Sequence, residues 1–422
     1  YLLDNNQNKI SISGDIRYST SKLKSNLING LIESGIDVYD LGILPTPVNY
    51  FSLFHTDIKN SIQITGSHNP KEYNGFKISF KGKPFFGSDI RKIQAMMNKG
   101  SFQSNRKAKG SIRKLDVLDD YINIIKNDIN LESDISCIMD CGNSVGGLVA
   151  PTIFKELGIN LKEIYCDINP DFPNHHPDPT VDENLNDLVK YIRMGDYDLG
   201  IAYDGDADRV VAVDEKGFII RPDILMSLFI PFVISENDAV IFDVKCSRSL
   251  EETILKYGGN PVMYKTGHSL IKNKMIDMKS KFGGEMSGHI FFNDRYYGYD
   301  DGIYVSLRLI ELLSKSTKKI SDYIAEIPKY ISTPEIRIDC DDDIKFEVVN
   351  NIKKYFLDNF KCILIDGIRI EFDYGWGLVR ASNTQPVIVC RFESDTLENL
   401  NKIKSIVFNQ IELYGINIDN GL

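Results

Sequence analysis

Short apolar segments alternate with amphipathic segments over the first 65 residues, and this order restricts the possible folds more than any other feature. The apolar runs predict strands at residues 10–13, 36–41 and 61–64. The helix between the first two strands places Leu23 and Leu27 on one face. A β-α-β-α-β order of this kind favours a mostly parallel sheet with helices packed on its faces.

The same alternation restarts twice further along the chain. A second unit begins with a helix near Leu115, a third follows the turn at 214–217, and a last unit begins near Ile331. A chain of 422 residues is long enough for three or four domains that each bury a core. We therefore expect units at 1–114, 115–218, 219–329 and 330–422.

Composition excludes several classes of function. The chain carries 59 acidic and 49 basic side chains, a net charge of -10, which argues against nucleic acid as the main partner. A local basic pocket for a small phosphorylated ligand remains compatible with this balance. The longest apolar run, 228–234, is too short to span a bilayer, and we expect no membrane partner. Seven scattered cysteines are typical of reduced thiols and predict a cytoplasmic location.

A polar loop at 65–70, Thr-Gly-Ser-His-Asn-Pro, follows the third predicted strand. Ligands bind at the carboxyl ends of strands in open α/β sheets, so we interpret Ser67 as a serine that carries a phosphoryl group. The alternative is an ordinary turn in which Ser and Asn bond their own backbone. Lys77 follows in the next strand, where it either faces this loop or is a solvated strand lysine.

A second polar loop contains Asp204, Asp206 and Asp208 at alternate positions between two predicted strands. Such carboxylates can converge on one hard cation, Mg²⁺ or Ca²⁺. A helix-loop-helix calcium site is excluded because its sixth position requires glycine and is Arg209 here. Three aspartates near 4 Å repel by roughly 4 kcal/mol per pair at an effective dielectric of about 20, so a cation is the natural remedy.

A third loop places Glu285 and Ser287 at alternate positions, which suits hydrogen bonds to vicinal hydroxyls. A Ser-His-Glu hydrolase is the competing interpretation, but Gly-x-x-Ser-Gly is not the nucleophile elbow. Three basic side chains follow directly or closely on predicted strands and are expected to face the same cleft. They are Lys245, Lys265 and His268.

A fourth loop, 380–386, combines one guanidinium with hydroxyl and amide groups. Arg380, Ser382, Asn383 and Thr384 lie in a turn with exposed backbone N–H groups. This combination predicts a cradle for a phosphate dianion.

The four loops, in this order, resemble the α-D-phosphohexomutase superfamily over essentially the whole chain. The resemblance is closest to its bacterial phosphomannomutase/phosphoglucomutase branch. It implies an α/β fold of four domains around a central cleft, with three similar mixed α/β sheet domains and a smaller C-terminal α+β domain. The segments that carry it are 65–70, 204–209, 265–272, 284–289 and 380–386.

The resemblance also implies an activity: reversible phosphoryl transfer between hexose 1-phosphates and hexose 6-phosphates through a phosphoserine and a 1,6-bisphosphate. It implies Mg²⁺, glucose 1,6-bisphosphate as activator, and a monomer or weak dimer. The expected catalytic residues are Ser67, His68, Lys77, Arg209 and His289, the last as a second proton relay. The expected substrate-binding residues are Arg17, Lys245, Lys265, His268, Glu285, Ser287, Arg380, Ser382, Asn383 and Thr384. The implied metal ligands are Ser67, Asp204, Asp206 and Asp208.

One family segment has no counterpart in this chain. The family's N-terminal Tyr-Asp-Ile-Arg-Gly segment carries an arginine of the catalytic centre, whereas Asp15-Ile16-Arg17 matches a later family turn.

Three alternative functions stay open: a phosphoglucosamine mutase, a serine- and metal-dependent sugar-phosphate phosphatase, and a non-catalytic sugar-phosphate-binding relative.

Overall fold

The computed structural model describes residues 1–100, 108–382 and 386–418. In the first domain, helices pack against a six-stranded sheet. Its elements are β1 (Lys9–Gly14), α1 (Tyr18–Glu33), β2 (Asp37–Ile43), α2 (Thr46–His55), β3 (Ser61–Ile64), β4 (Phe76–Phe80), β5 (Lys83–Phe85), α3 (Ser88–Asn98) and β6 (Ile112–Lys114). The sheet order is β5-β4-β3-β1-β2-β6. Strands β3, β1, β2 and β6 run parallel, so the serine loop leaves the carboxyl end of an interior strand.

The second domain contains a five-stranded sheet in the order β11-β10-β9-β7-β8. Its elements are α4 (Leu118–Asp128), β7 (Ser136–Asp140), α5 (Ala150–Glu156), β8 (Asn160–Ile164), α6 (Asn186–Met194), β9 (Leu199–Tyr203), β10 (Val210–Asp214) and β11 (Ile219–Ile220). Strands β9 and β10 pair antiparallel, and the acidic loop is the connection between them.

The third domain contains a four-stranded sheet in the order β13-β12-β14-β15. Its elements are α7 (Pro222–Val233), β12 (Ala239–Asp243), α8 (Arg248–Lys256), β13 (Asn260–Tyr264), α9 (His268–Met278), β14 (Phe282–Gly284), β15 (Ile290–Phe292), α10 (Gly302–Ser314) and α11 (Ile320–Ala325). The loop with Glu285 and Ser287 connects β14 to its antiparallel partner β15.

The fourth domain is an antiparallel sheet covered by two helices. Its elements are β16 (Ile331–Ser332), β17 (Ile336–Asp339), α12 (Lys345–Leu357), β18 (Lys361–Ile363), β19 (Ile368–Phe372), β20 (Gly375–Ala381), β21 (Val387–Ser394) and α13 (Leu397–Glu412). The main order is β16-β21-β20-β19-β18, and β17 also pairs with β21. Arg380 and Ser382 lie at the end of β20, at the tip of the β20–β21 hairpin.

The apolar core is continuous through the first three domains. Phe51 of α2, Tyr121 of α4, Phe229 of α7 and Tyr304 of α10 are all buried in the same cluster. Domain 4 has a core of its own between its sheet and helices. It meets domain 3 through a small apolar cluster of Val244, Trp376 and Leu378. One large apolar cluster therefore joins domains 1 to 3, each of which also has a smaller cluster of its own, and domain 4 docks onto this assembly.

The predicted fold class is confirmed: three mixed α/β domains are followed by a smaller α+β domain. The domain boundaries given above stay a prediction.

The hairpin β14–β15 was not predicted, because each strand has only three residues and β14 ends in two glycines. Helix α10 was also missed, since it is buried on almost every side and lacks an exposed polar face. Within the described ranges, no helix is long and apolar enough to cross a membrane.

Candidate active site

Ser67 lies at the centre of the site, where the first and second domains meet. Its backbone is in the left-handed region, with φ of 49°, and its side chain is buried. The hydroxyl Oγ donates to Oδ2 of Asp204 at 2.8 Å and lies 3.3 Å from Nδ1 of His68. The serine predicted from the first loop and an aspartate predicted from the second are therefore in direct contact.

The Arg17 guanidinium holds the serine loop in this conformation. Its Nε donates to Asp15, while its two terminal nitrogens donate to four backbone carbonyls of the segment that follows β3. Those carbonyls belong to Ser67, Asn69, Pro70 and Tyr73. All five N–H donors of Arg17 are thus used within the protein, and the side chain is buried. This geometry does not favour the predicted substrate contact and instead supports a role in positioning the loop.

The three aspartates of the acidic loop are fully buried and converge. One carboxylate oxygen from each of Asp204, Asp206 and Asp208 lies within 4.8 Å of the others. Thr46 and Lys77 donate to Asp206, and Lys77 also donates to Asp208. Oδ1 of Asp206 and Oδ1 of Asp208 nevertheless have no hydrogen-bond partner. Buried carboxylate oxygens that lack a donor fit a hard cation, because oxygen ligands are those that Mg²⁺ prefers.

The directions of the pKa shifts in the acidic loop reflect burial and charge repulsion between its carboxylates. Burial, and then the neighbouring Asp206 carboxylate, raise the pKa values of Asp204 and Asp208. Burial also opposes ionisation of Asp206, but its ion pair with Lys77 outweighs this and lowers its pKa. Three ionised carboxylates in this loop would therefore carry more negative charge than Lys77 and Arg209 neutralise.

The predicted proton-relay groups differ in their protonation. Burial acts to lower the pKa of Lys77, but Asp206 and Asp208 raise it overall, so this side chain stays charged. The Arg209 charge and then burial lower the pKa of His68 to about 3, which keeps its imidazole neutral at neutral pH. His176 of the second domain donates to the His68 carbonyl and ties the two loops together.

His289 is buried and both of its ring nitrogens face protein groups. Nε2 accepts from Nε of Arg209 at 2.9 Å, and Nδ1 lies 3.1 Å from Oδ2 of Asp300. The ring stacks on His268, with centroids 5.0 Å apart, and Nδ1 of His268 lies 2.8 Å from the same Asp300 oxygen. His289 as a proton relay stays a prediction, since neither nitrogen points to free space here.

Glu285 is almost completely buried in the turn between β14 and β15. It accepts the backbone N–H of Gly267 at 2.5 Å. Burial and then the carboxylate of Asp243 raise the pKa of Glu285 to about 7. Ser287, two residues later, is half-buried in the same turn. The two predicted hydroxyl-binding groups are thus at the same hairpin tip.

Two predicted lysines have different surroundings. Lys245 is buried after β12 and donates to Glu335 of domain 4 at 3.1 Å. Lys265 follows β13 and is exposed. In domain 4, Nε of Arg380 lies 3.1 Å from Asp366. A substrate phosphate must therefore compete with a protein carboxylate for Lys245 and for Arg380.

The phosphate cradle is only partly described. Ser382 is buried, and its backbone N–H donates to the Val387 carbonyl. Asn383 and Thr384 lie outside the described residues. Their assignment as phosphate ligands stays a prediction.

Several site residues were missed by sequence reasoning. Thr46, His176 and Asp300 were given no role, and Lys272 was only part of the segment 265–272 that carries the resemblance. Each reaches the site through a long-range contact: Thr46 to Asp206, His176 to His68, and Lys272 to Asp300. No local pattern marks such residues. The paired Asp300-Asp301 before a helix was the one available signal.

A buried serine hydroxyl beside a carboxylate cation site, on an α/β fold of four domains, is typical of phosphoryl-transfer enzymes. Family models support this class. The model for phosphoglucomutase/phosphomannomutase alpha/beta/alpha domain I matches residues 1–104, that for domain II matches 119–217, that for domain III matches 221–330, and that for the C-terminal domain matches 335–410. The chain belongs to the phosphoglucomutase/phosphomannomutase family, and the resemblance found in its motifs is confirmed.

Individual relatives agree with this placement. The chain is 42% identical over 406 residues to a phosphomannomutase/phosphoglucomutase of Pseudomonas aeruginosa, covering 96% of this chain and 87% of that protein. It is 40% identical over 402 residues to a phosphoglucomutase of Neisseria gonorrhoeae, covering 94% and 87%. A solved structure of a phosphoglucomutase/phosphomannomutase family protein from Burkholderia thailandensis superposes with a TM-score of 0.91 at 37% identity, covering 99% and 92%.

Proposed function

We propose that this protein is an isomerase that interconverts hexose 1-phosphates and hexose 6-phosphates of glucose and mannose. The observation that carries the proposal is the contact of the Ser67 hydroxyl with Asp204, inside a cluster of three buried aspartates. A serine in this place can carry a phosphoryl group only if the added negative charge is balanced. Lys77 and Arg209 supply fixed positive charge beside it.

The donor set fits Mg²⁺. Asp204, Asp206 and Asp208, with an oxygen on Ser67, would hold the ion, and two unpartnered carboxylate oxygens support this assignment. When bound, the ion neutralises the acidic loop and withdraws charge from the transferring phosphoryl group. We expect glucose 1,6-bisphosphate to act as activator, because it can phosphorylate Ser67.

The reaction is a double transfer with no net consumption of phosphate. The free hydroxyl oxygen of the substrate attacks the phosphorus on Ser67, the Oγ–P bond breaks, and a hexose 1,6-bisphosphate forms. After the bisphosphate reverses its orientation, the Ser67 oxygen attacks the other phosphate and the isomeric monophosphate leaves. In the first half-reaction the proton of the attacking sugar hydroxyl ends on the released Ser67 Oγ. In the second half-reaction a proton passes from Ser67 Oγ to the released sugar hydroxyl.

Two loops allow one serine to serve both ends of the sugar. Arg380 and its neighbours in the β20–β21 hairpin bind the phosphate that is not reacting. Glu285 and Ser287 bind hydroxyls of the ring in both orientations. If they contact only O3 and O4, the configuration at C2 is not read, and glucose and mannose phosphates are both accepted.

The test is phosphorus NMR of the protein with Mg²⁺ and a trace of glucose 1,6-bisphosphate. We expect glucose 1-phosphate and mannose 1-phosphate to be converted into their 6-phosphates. The Ser67→Ala variant should lose this activity by a factor of at least about 10⁴, because the group that carries the phosphoryl is gone. Ser405→Ala, on the exposed face of α13, is the matched control and should retain wild-type activity.

Other outcomes identify the alternatives. Steady release of inorganic phosphate would indicate a phosphatase, and binding without turnover would indicate a silent sugar-phosphate-binding relative. Preferential turnover of glucosamine 1-phosphate would indicate a phosphoglucosamine mutase. Each of these results would contradict the proposed function.

The remaining assignments follow from the same proposal. We propose the domain boundaries 1–114, 115–218, 219–329 and 330–422; strand β11 (Ile219–Ile220), which pairs with β10 of the second sheet, lies just after the second boundary. Hexose phosphates are the expected partners, with neither nucleic acid nor membrane, and the acidic composition supports this. We place the protein in the cytoplasm as a monomer or weak dimer.

A further inference from the structure

Asp300 connects three side chains of the third domain and has no role in the mechanism above. It is fully buried just before α10, and its backbone bridges to Phe291 of β15. Its Oδ1 accepts from Nζ of Lys272 at 2.6 Å. Its Oδ2 lies 2.8 Å from Nδ1 of His268 and 3.1 Å from Nδ1 of His289. One carboxylate oxygen therefore faces the same nitrogen of two stacked imidazole rings.

These contacts define the tautomer of both histidines. A carboxylate oxygen beside a lysine ammonium can only accept hydrogen bonds, so Nδ1 of His268, which is hydrogen-bonded to Asp300, must carry its hydrogen. Nδ1 of His289 lies 3.1 Å from Asp300 and 3.5 Å from Asp208 without hydrogen-bond geometry, and these two carboxylate oxygens also favour a hydrogen on that nitrogen. The other side of His289 gives the same answer independently. Nε of Arg209 can only donate, and it approaches Nε2 of His289 at 2.9 Å, so Nε2 must carry the lone pair.

The tautomer matters because of what His289 and His268 face. His289 orients the Arg209 guanidinium, which lies beside the Asp204 carboxylate that accepts from Ser67. Among the described residues, the terminal nitrogens of Arg209 have no hydrogen-bond partner in the protein, which leaves them available to a phosphoryl group. His268 is partly exposed and keeps Nε2 as an acceptor, with the Ser269 hydroxyl 3.4 Å from it.

We propose that Asp300 is a positioning residue: it holds His268 and His289 as Nδ1–H tautomers, so that His289 orients Arg209 toward the phosphoryl group and His268 accepts from a hexose hydroxyl. The functional half of this proposal rests on the proposed mutase activity. The tautomers themselves do not depend on it.

The Asp300→Asn variant tests the assignment because Lys272 fixes how the new amide is oriented. The amide oxygen must face the Lys272 ammonium, so the NH₂ group faces the two Nδ1 atoms and donates to them. Both histidines are then driven to the Nε2–H tautomer, which sets an N–H of His289 against Nε–H of Arg209. We expect kcat to fall about 100-fold with a change of less than about threefold in KM, as a misplaced catalytic group produces.

The measurement is nitrogen-15 NMR of the histidine side chains, which is tractable because the chain contains only 6 histidines. We expect Nδ1–H for His268 and His289 in the wild-type protein and Nε2–H for both in Asp300→Asn. Asp301→Asn is the matched control: the same chemical change is made at the neighbouring buried carboxylate, which contacts Tyr121 and Tyr296 instead. It should leave both tautomers as they are.

The proposal is overturned if either histidine is Nε2–H in the wild-type protein, a result that needs no variant to fold. It is also overturned if Asp300→Asn keeps the wild-type tautomers, or if its kcat stays within about threefold of wild type. A wild-type protein without mutase activity would instead contradict the proposed function, and the wild-type tautomers would still decide the role of Asp300.

Discussion

Glu285 and Glu335 show that the surroundings of a glutamate decide its protonation state. Both lie near Lys245, which lowers the pKa of each. Burial and the Asp243 carboxylate outweigh this for Glu285, and its pKa rises to about 7. Glu335 is less buried, and its direct ion pair with Lys245 at 3.1 Å overcomes desolvation and lowers its pKa to about 2. Of these two glutamates, only Glu285 therefore changes charge near neutral pH.

A pH dependence follows for Glu285. Because its pKa is raised, the carboxyl is neutral below about pH 7 and becomes a full hydrogen-bond acceptor only above it. We expect kcat/KM, measured at saturating Mg²⁺, to fall about tenfold between pH 8 and pH 6. Saturating metal is needed because a bound cation keeps Asp204 ionised over this range.

Glu285→Gln should lower kcat/KM and remove the step near pH 7, leaving only the titration of the substrate phosphate near about pH 6. Glu335→Gln is the control, since Glu335 is ionised throughout this range, and it should keep the step. An unchanged pH profile in Glu285→Gln would contradict the assignment of Glu285 as the hydroxyl-binding group.

At the scale of elements, the site depends on how closely two loops approach. Gly205, in the turn between β9 and β10, lies against the carbonyl oxygen of Ser67, and a Cβ at this position would overlap that oxygen. The glycine therefore permits the contact that brings Asp204 to the Ser67 hydroxyl. Gly302, at the start of α10, approaches the carbonyls of Ala207 and Arg209 in the same way.

Gly205→Ala tests this close approach. The added methyl group should push the acidic loop away from the serine loop and lengthen the Ser67–Asp204 contact. We expect kcat to fall at least about 100-fold, because a displacement of about 1 Å has such an effect on positioned groups. Mg²⁺ affinity, followed by calorimetric titration, should weaken as well.

The matched control is Gly30→Ala in α1, where no atom lies within 4 Å of the new methyl group. It should keep full activity and increase stability by about 0.5–1 kcal/mol, since alanine restricts the unfolded chain and favours helix. A wild-type kcat in Gly205→Ala would contradict this prediction, because it would show that turnover does not require the close approach of the two loops.

At the scale of the whole molecule, domain 4 is joined to the rest mainly by polar contacts. The Arg369 guanidinium stacks on Trp376 at 3.9 Å and donates to the carbonyls of Val244 and Cys246, each at 2.9 Å. This loop of domain 3 also carries Lys245. Since one large apolar cluster joins domains 1 to 3 and domain 4 has its own core, this interface sets how the β20–β21 hairpin, the proposed phosphate-binding segment, is oriented toward the serine loop.

Arg369→Lys should weaken the docking of domain 4. A single ammonium cannot bond both carbonyls and Glu371 while covering the Trp376 ring, so we expect a loss of about 2 kcal/mol at the interface. KM for glucose 1-phosphate should rise about fivefold to tenfold with a smaller change in kcat, because Arg380 is no longer held in register with the serine loop.

Calorimetry of the same variant should show the unfolding transition of domain 4 separating from that of domains 1 to 3. Arg113→Lys, on the exposed strand β6, is the control and should leave KM and the transition unchanged. A wild-type KM together with a single transition would contradict this role for Arg369.

The sequence by itself determined the four polar loops and most of the order of strands and helices, but not the β14–β15 hairpin or helix α10. These depend on local patterns: apolar periodicity, glycine and proline positions, and alternating acidic residues. Because each loop follows a strand, its approximate place at the edge of a sheet could also be predicted, and Ser67 and Asp204 do meet there.

The tertiary structure decided which polar groups are partners. Arg17 was expected to bind substrate, yet all five of its donors are used by Asp15 and the serine segment. Asp300 was marked in the sequence only by its pairing with Asp301, yet it faces both His268 and His289. Hydrogen bonds between residues distant in sequence depend on how whole domains pack, and no local pattern encodes that packing.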